Sequence, residues 1–262
     1  MFNKKITKPL FVFGAGLMLV LASSVGATRA SIIYQNNAKE VDFDTSYVSV
    51  DLYEGATADT TSLVKDALTF PGMPGEKEAF HIGETYPEYV NVVNSSKLYS
   101  EYVRVKVRKY WVKEVNGVLE KDTSLDPSLI DLKVDESVWK VDDAETTTEE
   151  TVYYLCTPLP KAGGAESNVQ NFIQGVTISD SVTTIVDLQD SNGNTFDKTA
   201  KLSGNITNSY VYDNASFYIE VEADAVQSHN AANAIYGAWG VHVTCDAEDD
   251  GNITSIEGKS TR

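Results

Sequence analysis

The chain has 262 residues, with 38 acidic against 21 basic side chains for a net charge of −17, and it is 42% apolar with 14 tyrosines. That balance excludes a nucleic-acid binder, which needs a basic footprint for phosphates, and the apolar content excludes a disordered chain. The length suits one large β domain or two small ones.

Lys4, Lys5 and Lys8 precede an apolar run from Leu10 to Ala22, and Thr28 and Ala30 stand where the −3 and −1 residues of a cleavage site belong. This is the layout of a secretory signal over residues 1–30, with the cut at Ala30 or Ser31. The apolar run is short for a span of roughly 20 residues, and an uncleaved anchor is the alternative. Removing residues 1–30 takes away three lysines and Arg29 but no acid, moving the net charge from −17 to −21. The mature chain then begins with Ile32, Ile33 and Tyr34, which are large and apolar for a solvated terminus. After the signal, no segment is apolar enough to make the chain a membrane protein.

Strand patterns dominate the rest of the chain. Val48, Val50 and Leu52 alternate with polar residues up to Gly55, and a second run ends at Asn94–Ser96. The longest run places Val103, Val105 and Val107 on one face and Arg104, Lys106 and Arg108 on the other. Asn116-Gly117 is a hairpin signal, because tight turns demand the positive φ that these residues accept. Asp126 and Pro127 suit the cap and first position of a short helical turn. Further strands are expected around Leu132, Trp139 and Tyr153, and over 172–182 with Gly175 at a bulge; a hairpin is expected across 191–194. Phe217, Ile219 and Val221 alternate with Glu220, Glu222 and Asp224. Asn230 is placed to cap a short helix, and Trp239, Val241, Val243 and Cys245 share one face of a last strand. Residues 246–262 read as an acidic polar tail. The pattern predicts an all-β protein, an antiparallel β-sandwich with short helical insertions, as a single domain over residues 31–245.

Several stretches fall together in a recognisable order: "TRASIIYQNNAKEVDFDTSYVSVDLYEG" after the signal, the "PGE" of Pro74 to Glu76, "VNVVNSS" with "YVRVKV", "YYLCTPLPKAG", and "EVEADAVQ" with "AWGV" after it. In that order the chain resembles TasA and camelysin (CalY), exported proteins of Gram-positive bacteria processed by the signal peptidase SipW. The segments 56–70 and 142–150, the acidic tail and the cysteine pair depart from the family pattern. The resemblance implies a jelly-roll-like sandwich and a secreted structural role, as a fibre subunit of the biofilm matrix. It also implies head-to-tail assembly in which the segment with Ile32, Ile33 and Tyr34 is added as a strand to the next subunit. The partners implied are further copies of the chain and other matrix or cell-wall components. A monomeric surface binding module or adhesin is the alternative.

Camelysin has been classed as a metallopeptidase, so the three histidines, His81, His229 and His242, bear on a zinc site. None stands four residues from another and no H-E-x-x-H occurs, so an enzyme is not expected. The sharpest local motif is "DAEDDGNITSIE", in which Asp246, Glu248, Asp250, Asn252 and Glu257 fall at or beside the ligand positions of a calcium loop and Gly251 at its turn. Glu at the third position and a preceding strand depart from that motif, and a solvated acidic segment is the other reading. Calcium is thus the one candidate cofactor. Cys156 and Cys245 each sit late in an apolar run and are either a disulfide or two buried thiols. The ladder of Arg104, Lys106 and Arg108 fits cross-strand pairing with Glu220 and Glu222, or contact with a neighbouring subunit.

Overall fold

The structure, a computed structural model, describes residues 48–74, 79–184, 186–189, 195–196 and 207–257. The signal, the cleavage position at Ala30 and Ser31, and Ile32, Ile33 and Tyr34 lie outside the described residues. The strands are β1 Val50–Gly55, β2 Ser62–Leu63, β3 Thr85–Asn94, β4 Glu101–Val115, β5 Val118–Lys121, β6 Ile130–Val134, β7 Trp139–Val141, β8 Glu150–Leu155 and β9 Val169–Ile178. They continue as β10 Val186–Gln189, β11 Thr195–Phe196, β12 Thr207–Tyr210, β13 Ala215–Gln227, β14 His242–Cys245 and β15 Ile253–Glu257. The helical insertions are 3-10 turns at Pro127–Leu129 and Asp180–Thr183 and one helix, α1, Ala231–Trp239.

Two antiparallel sheets pack face to face as an all-β sandwich, one ordered β2-β1-β3-β9-β6 and the other β13-β4-β8-β7, with β5 pairing the far end of β4. Alternation explains the core. Val90 and Val92 of β3 and Phe172, Ile173 and Val176 of β9 meet Val103, Val105 and Val107 of β4 and Ile219 of β13, all at most 5% exposed. Trp139 is fully buried there, edge-on to Phe172 with ring centroids 4.9 Å apart, and its Nε1–H donates to the Asn171 carbonyl at 2.9 Å. Smaller sheets flank these: β10 pairs β11 and β12, all antiparallel, and β14 pairs β15.

Local chemistry sets the turns. Asn116 (φ 55) and Gly117 (φ 81) join β4 to β5 with the two positive φ values of a tight hairpin. The Asp126 carboxylate accepts from the Ser128 N–H and Pro127 follows it, as a helix start requires. At Gly175 the β3–β9 register shifts, and a Cβ there would come within 2.9 Å of Thr85.

The C-terminal region departs from the sequence expectation. Trp239 closes α1 rather than opening the last strand, and Gly240 (φ 71) ends the helix by donating its N–H to the Tyr236 carbonyl. Asn230 makes no side-chain cap; it has φ 53 and its N–H goes to Asp249. Residues 246–257 are not a tail. They turn back as β15, whose Ile253 is 3% exposed; the register shift opposite Thr244 and Cys245 lets Ile253 and Ile256 pack on one apolar surface.

Candidate functional site

The sheet β13-β4-β8-β7 has a second face, opposite the sandwich core, made by the other residues of the same alternation. Along β4 it presents Tyr102, Arg104, Lys106, Arg108 and Tyr110, with Val226, Asp224, Glu222, Glu220 and Tyr218 of β13 directly opposite in that order. On the other side, Tyr154, Val152 and Glu150 of β8 stand opposite Arg104, Lys106 and Arg108. The basic ladder is therefore matched within its own sheet, as the cross-strand reading expects. Arg108 Nε meets Glu150 at 2.5 Å, and the Tyr110 hydroxyl donates to Glu220 at 2.7 Å. Tyr110 and Tyr218 stack with centroids 5.6 Å apart.

Among the described residues, this face is covered at one end. Tyr102, Val152, Tyr154 and Val226 form a second core with Ala231, Ile235 and Trp239 of α1, Val241, and Ile253 of β15. The boundary is Arg104, which is 8% exposed. Its guanidinium meets Asp224 at 2.6 Å and Glu145 at 3.7 Å. Beyond it, a cleft of about 190 Å³ opens between Lys106, Glu150 and Val152.

The edges of the two sheets differ. β2 has two residues, β7 three, and β6 five with a register shift against β9. β13 has thirteen, paired in unbroken register with β4. Among the described residues, no strand pairs with its other side. Phe217, Ile219, Val221 and Ala223 point from this edge strand into the sandwich core.

Carboxylates of the calcium motif are engaged by hydrogen bonds within the chain. Among the described residues, no three His, Cys, Asp or Glu side chains are grouped to hold a metal. Asp246 accepts from the Asn252 N–H (2.6 Å) and side-chain amide (3.0 Å), Asp249 from the Asn230 N–H (2.8 Å), and Asp250 from the Ser228 hydroxyl. Glu248 offers its backbone carbonyl to Ala231. Glu257 lies at the far end of β15, opposite His242, because the chain leaves the loop as a strand and carries that carboxylate away. Gly251 serves packing instead: a Cβ there would lie 2.5 Å from the Ala247 backbone.

Cys156 and Cys245 are both free, half-buried thiols on either side of Ile253, which pairs with Cys245 and donates its N–H to the Cys156 carbonyl. Cys245 lies against the Tyr102 hydroxyl, and burial pushes both thiols up from their ordinary range. The histidines are apart: His242 stacks on Tyr236 at 4.3 Å, His229 meets Asp249 at 2.8 Å, and His81 is exposed on the loop before β3.

Four interior carboxyls escaped the sequence reading. Glu54, Glu88, Glu101 and Asp142 are at most 6% exposed. Burial pushes Glu88 up to about 9, with the neighbouring Glu54 adding to it, and pushes Glu101 up to about 7 against the lowering effect of hydrogen bonds from Ser49 and Ser96.

Comparison with known proteins finds no matching family model, no matching curated protein and no matching solved structure. Among the described residues, no helix is long and apolar enough to cross a membrane.

Proposed function

We propose that this chain is a secreted structural protein, a subunit that assembles into extracellular fibres by adding its N-terminal segment as a strand to the β13 edge of the next copy. The observation that carries this reading is the contrast between edges. Proteins that stay monomeric blunt their sheet edges with short strands, bulges or inward charges. Three edges here are short or shifted, whereas β13 offers thirteen residues in regular register. Its acids are engaged across the sheet by Arg104 and face Lys106 and Arg108, which leaves its main-chain edge without a charged guard.

The donor segment is the "SIIYQNN" stretch from Ser31 to Asn37, long enough for a strand of about five or six residues. Main-chain hydrogen bonds supply its affinity, and alternate side chains such as Ile32 and Tyr34 fill pockets. A contact between two different surfaces does not close on itself, so it propagates as a filament. The resemblance to TasA and camelysin points the same way and extends the reading to a jelly-roll-like fold, SipW processing and a biofilm matrix. The test is electron microscopy of the mature protein beside a variant lacking residues 31–40. Fibres from the full mature chain and none from the variant are expected; fibres from both rule out strand donation.

A further inference from the structure

Glu54 and Glu88 continue apolar alternations into the sandwich interior, Glu54 after Val50 and Leu52 on β1, and Glu88 before Val90 and Val92 on β3, beside the register shift between Pro87 and Val90. Glu88 is 0% exposed, and neither of its oxygens has a hydrogen-bond donor among the described residues; Glu54 of β1 stands opposite Val90, two residues along the same face of β3, and so neighbours Glu88. Two carboxylates in contact inside an apolar core cannot both be ionised. Glu54 accepts from the Thr69 N–H (2.7 Å), the Thr69 hydroxyl (2.8 Å) and the Phe70 N–H (2.8 Å). Burial therefore keeps the proton on Glu88, beside Glu54.

The three bonds to Glu54 hold down the segment that follows β2. Phe70 is kept at φ 52, a left-handed conformation that a bulky side chain avoids, so its placement depends on an external hold. From there its ring packs edge-on to Phe217 of β13 at 6.4 Å, and Phe80 also reaches Phe217 at 6.4 Å while stacking on Tyr86 at 4.8 Å. Gly72 lies so close over Pro87 that a Cβ would sit 1.6 Å from its carbonyl oxygen.

We propose that Glu54 and Glu88 form a proton-shared latch that pins residues 64–74 over Phe217 of β13, and that removing the shared proton releases the segment. The charged group acting on Glu88 among the described residues is Glu54. The segment itself contributes Lys65 and Asp66, both exposed. Opposite Glu88's stretch of β3, β9 contributes Gly175 and Ile173, and from the facing sheet the half-buried Lys109 commits its Nζ to the Ile130 carbonyl at 2.6 Å. With no cation holding Glu88, a second negative charge is relieved by displacing Glu54, which frees Thr69 and Phe70. The packing of the segment on Phe217 of β13 then changes with pH; any effect on strand addition rests on that reading, whereas the latch itself does not.

Hydrogen exchange on the unassembled full mature chain tests the latch, with protection of the Thr69 and Phe70 amides corrected for intrinsic rates between pH 6 and 10.5. Protection is expected to hold to about pH 9 and then fall about tenfold per pH unit, while Val103 to Val107 keep theirs. Glu88→Gln retains a donor toward Glu54 and is expected to abolish the fall; Glu54→Gln lowers protection at every pH. Constant protection in the wild type, or the same fall in Glu88→Gln, overturns the latch. If Glu88→Gln does not fold, the carboxyl carbon shift of Glu88 in the wild type decides: titration together with the loss of protection supports the latch, and titration below pH 6 overturns it. Fibre formation is read separately, so failure of the latch leaves strand addition standing.

Discussion

The Arg104 guanidinium lies 4.9 Å over the indole ring of Trp239, and the same group meets Asp224 and Glu145. One side chain of β4 thus joins the sheet, the loop before β8 and the end of α1. Its charge is desolvated but compensated on two sides and by a ring face.

Replacing Arg104 with Ala leaves Asp224 and Glu145 poorly solvated with no cation, and is expected to cost about 3–5 kcal/mol. Arg108→Ala breaks the neighbouring pair with Glu150, whose members are 56% and 24% exposed, and is expected to cost no more than about 1 kcal/mol. Urea unfolding of the two variants beside wild type measures the contrast.

Stability is expected to fall as pH rises from 5 to 9. Glu101 and Glu88 have folded values raised above the ordinary 4.5, so each favours folding fully below that value and loses its contribution as pH rises toward about 7 and about 9 respectively. Glu101→Gln should lessen the fall of the urea midpoint between pH 5 and 7, leaving the part due to Glu88, and Glu88→Gln should lessen it there and remove it between 7 and 9. Asp122, held below its usual range chiefly by the Ser124 hydroxyl, acts in the opposite sense and only in more acidic solution.

Reducing agent is expected to leave the melting temperature unchanged, because Cys156 and Cys245 are already thiols. Thiol titration should count two groups after denaturation. In the native state both should react slowly, since burial disfavours their thiolates.

Asp246→Ala removes the acceptor for both nitrogens of Asn252 and is expected to lower the melting temperature. The loss should be the same with calcium and with chelator, as a turn-bracing carboxylate requires. A calcium-dependent rise in the wild type that this variant lacks would restore the metal reading.

The sandwich was legible because period-two alternation is a direct consequence of strand geometry, and Val103, Val105 and Val107 obey it without exception. The same rule carried a signal that went unread. Glu101 precedes those valines in phase, Glu54 follows Leu52 in phase and Glu88 precedes Val90 in phase, so each acid was already on a core face. The spacing of the calcium motif does not state direction in space: β15 carries Glu257 away from Asp246. The contacts of α1 were hidden for another reason. Its alanines are compatible with any short helix, and only the apolar half of the second face, with Tyr102 and Tyr154, decides where it docks.

The covering of that second face has a consequence for the order in which the chain is made. The Tyr102 hydroxyl donates to the carbonyl of Gly251, 149 residues later. Synthesis runs from the N-terminus, so Tyr102, Val152 and Tyr154 exist long before Trp239 and Ile253 arrive to shield them. Closing so long a loop is entropically costly, and the sheet must wait with an apolar patch exposed. The last step of folding falls to the final thirty or so residues, and a chain cut short before α1 would keep β1 to β13 yet leave that patch as a sticky surface.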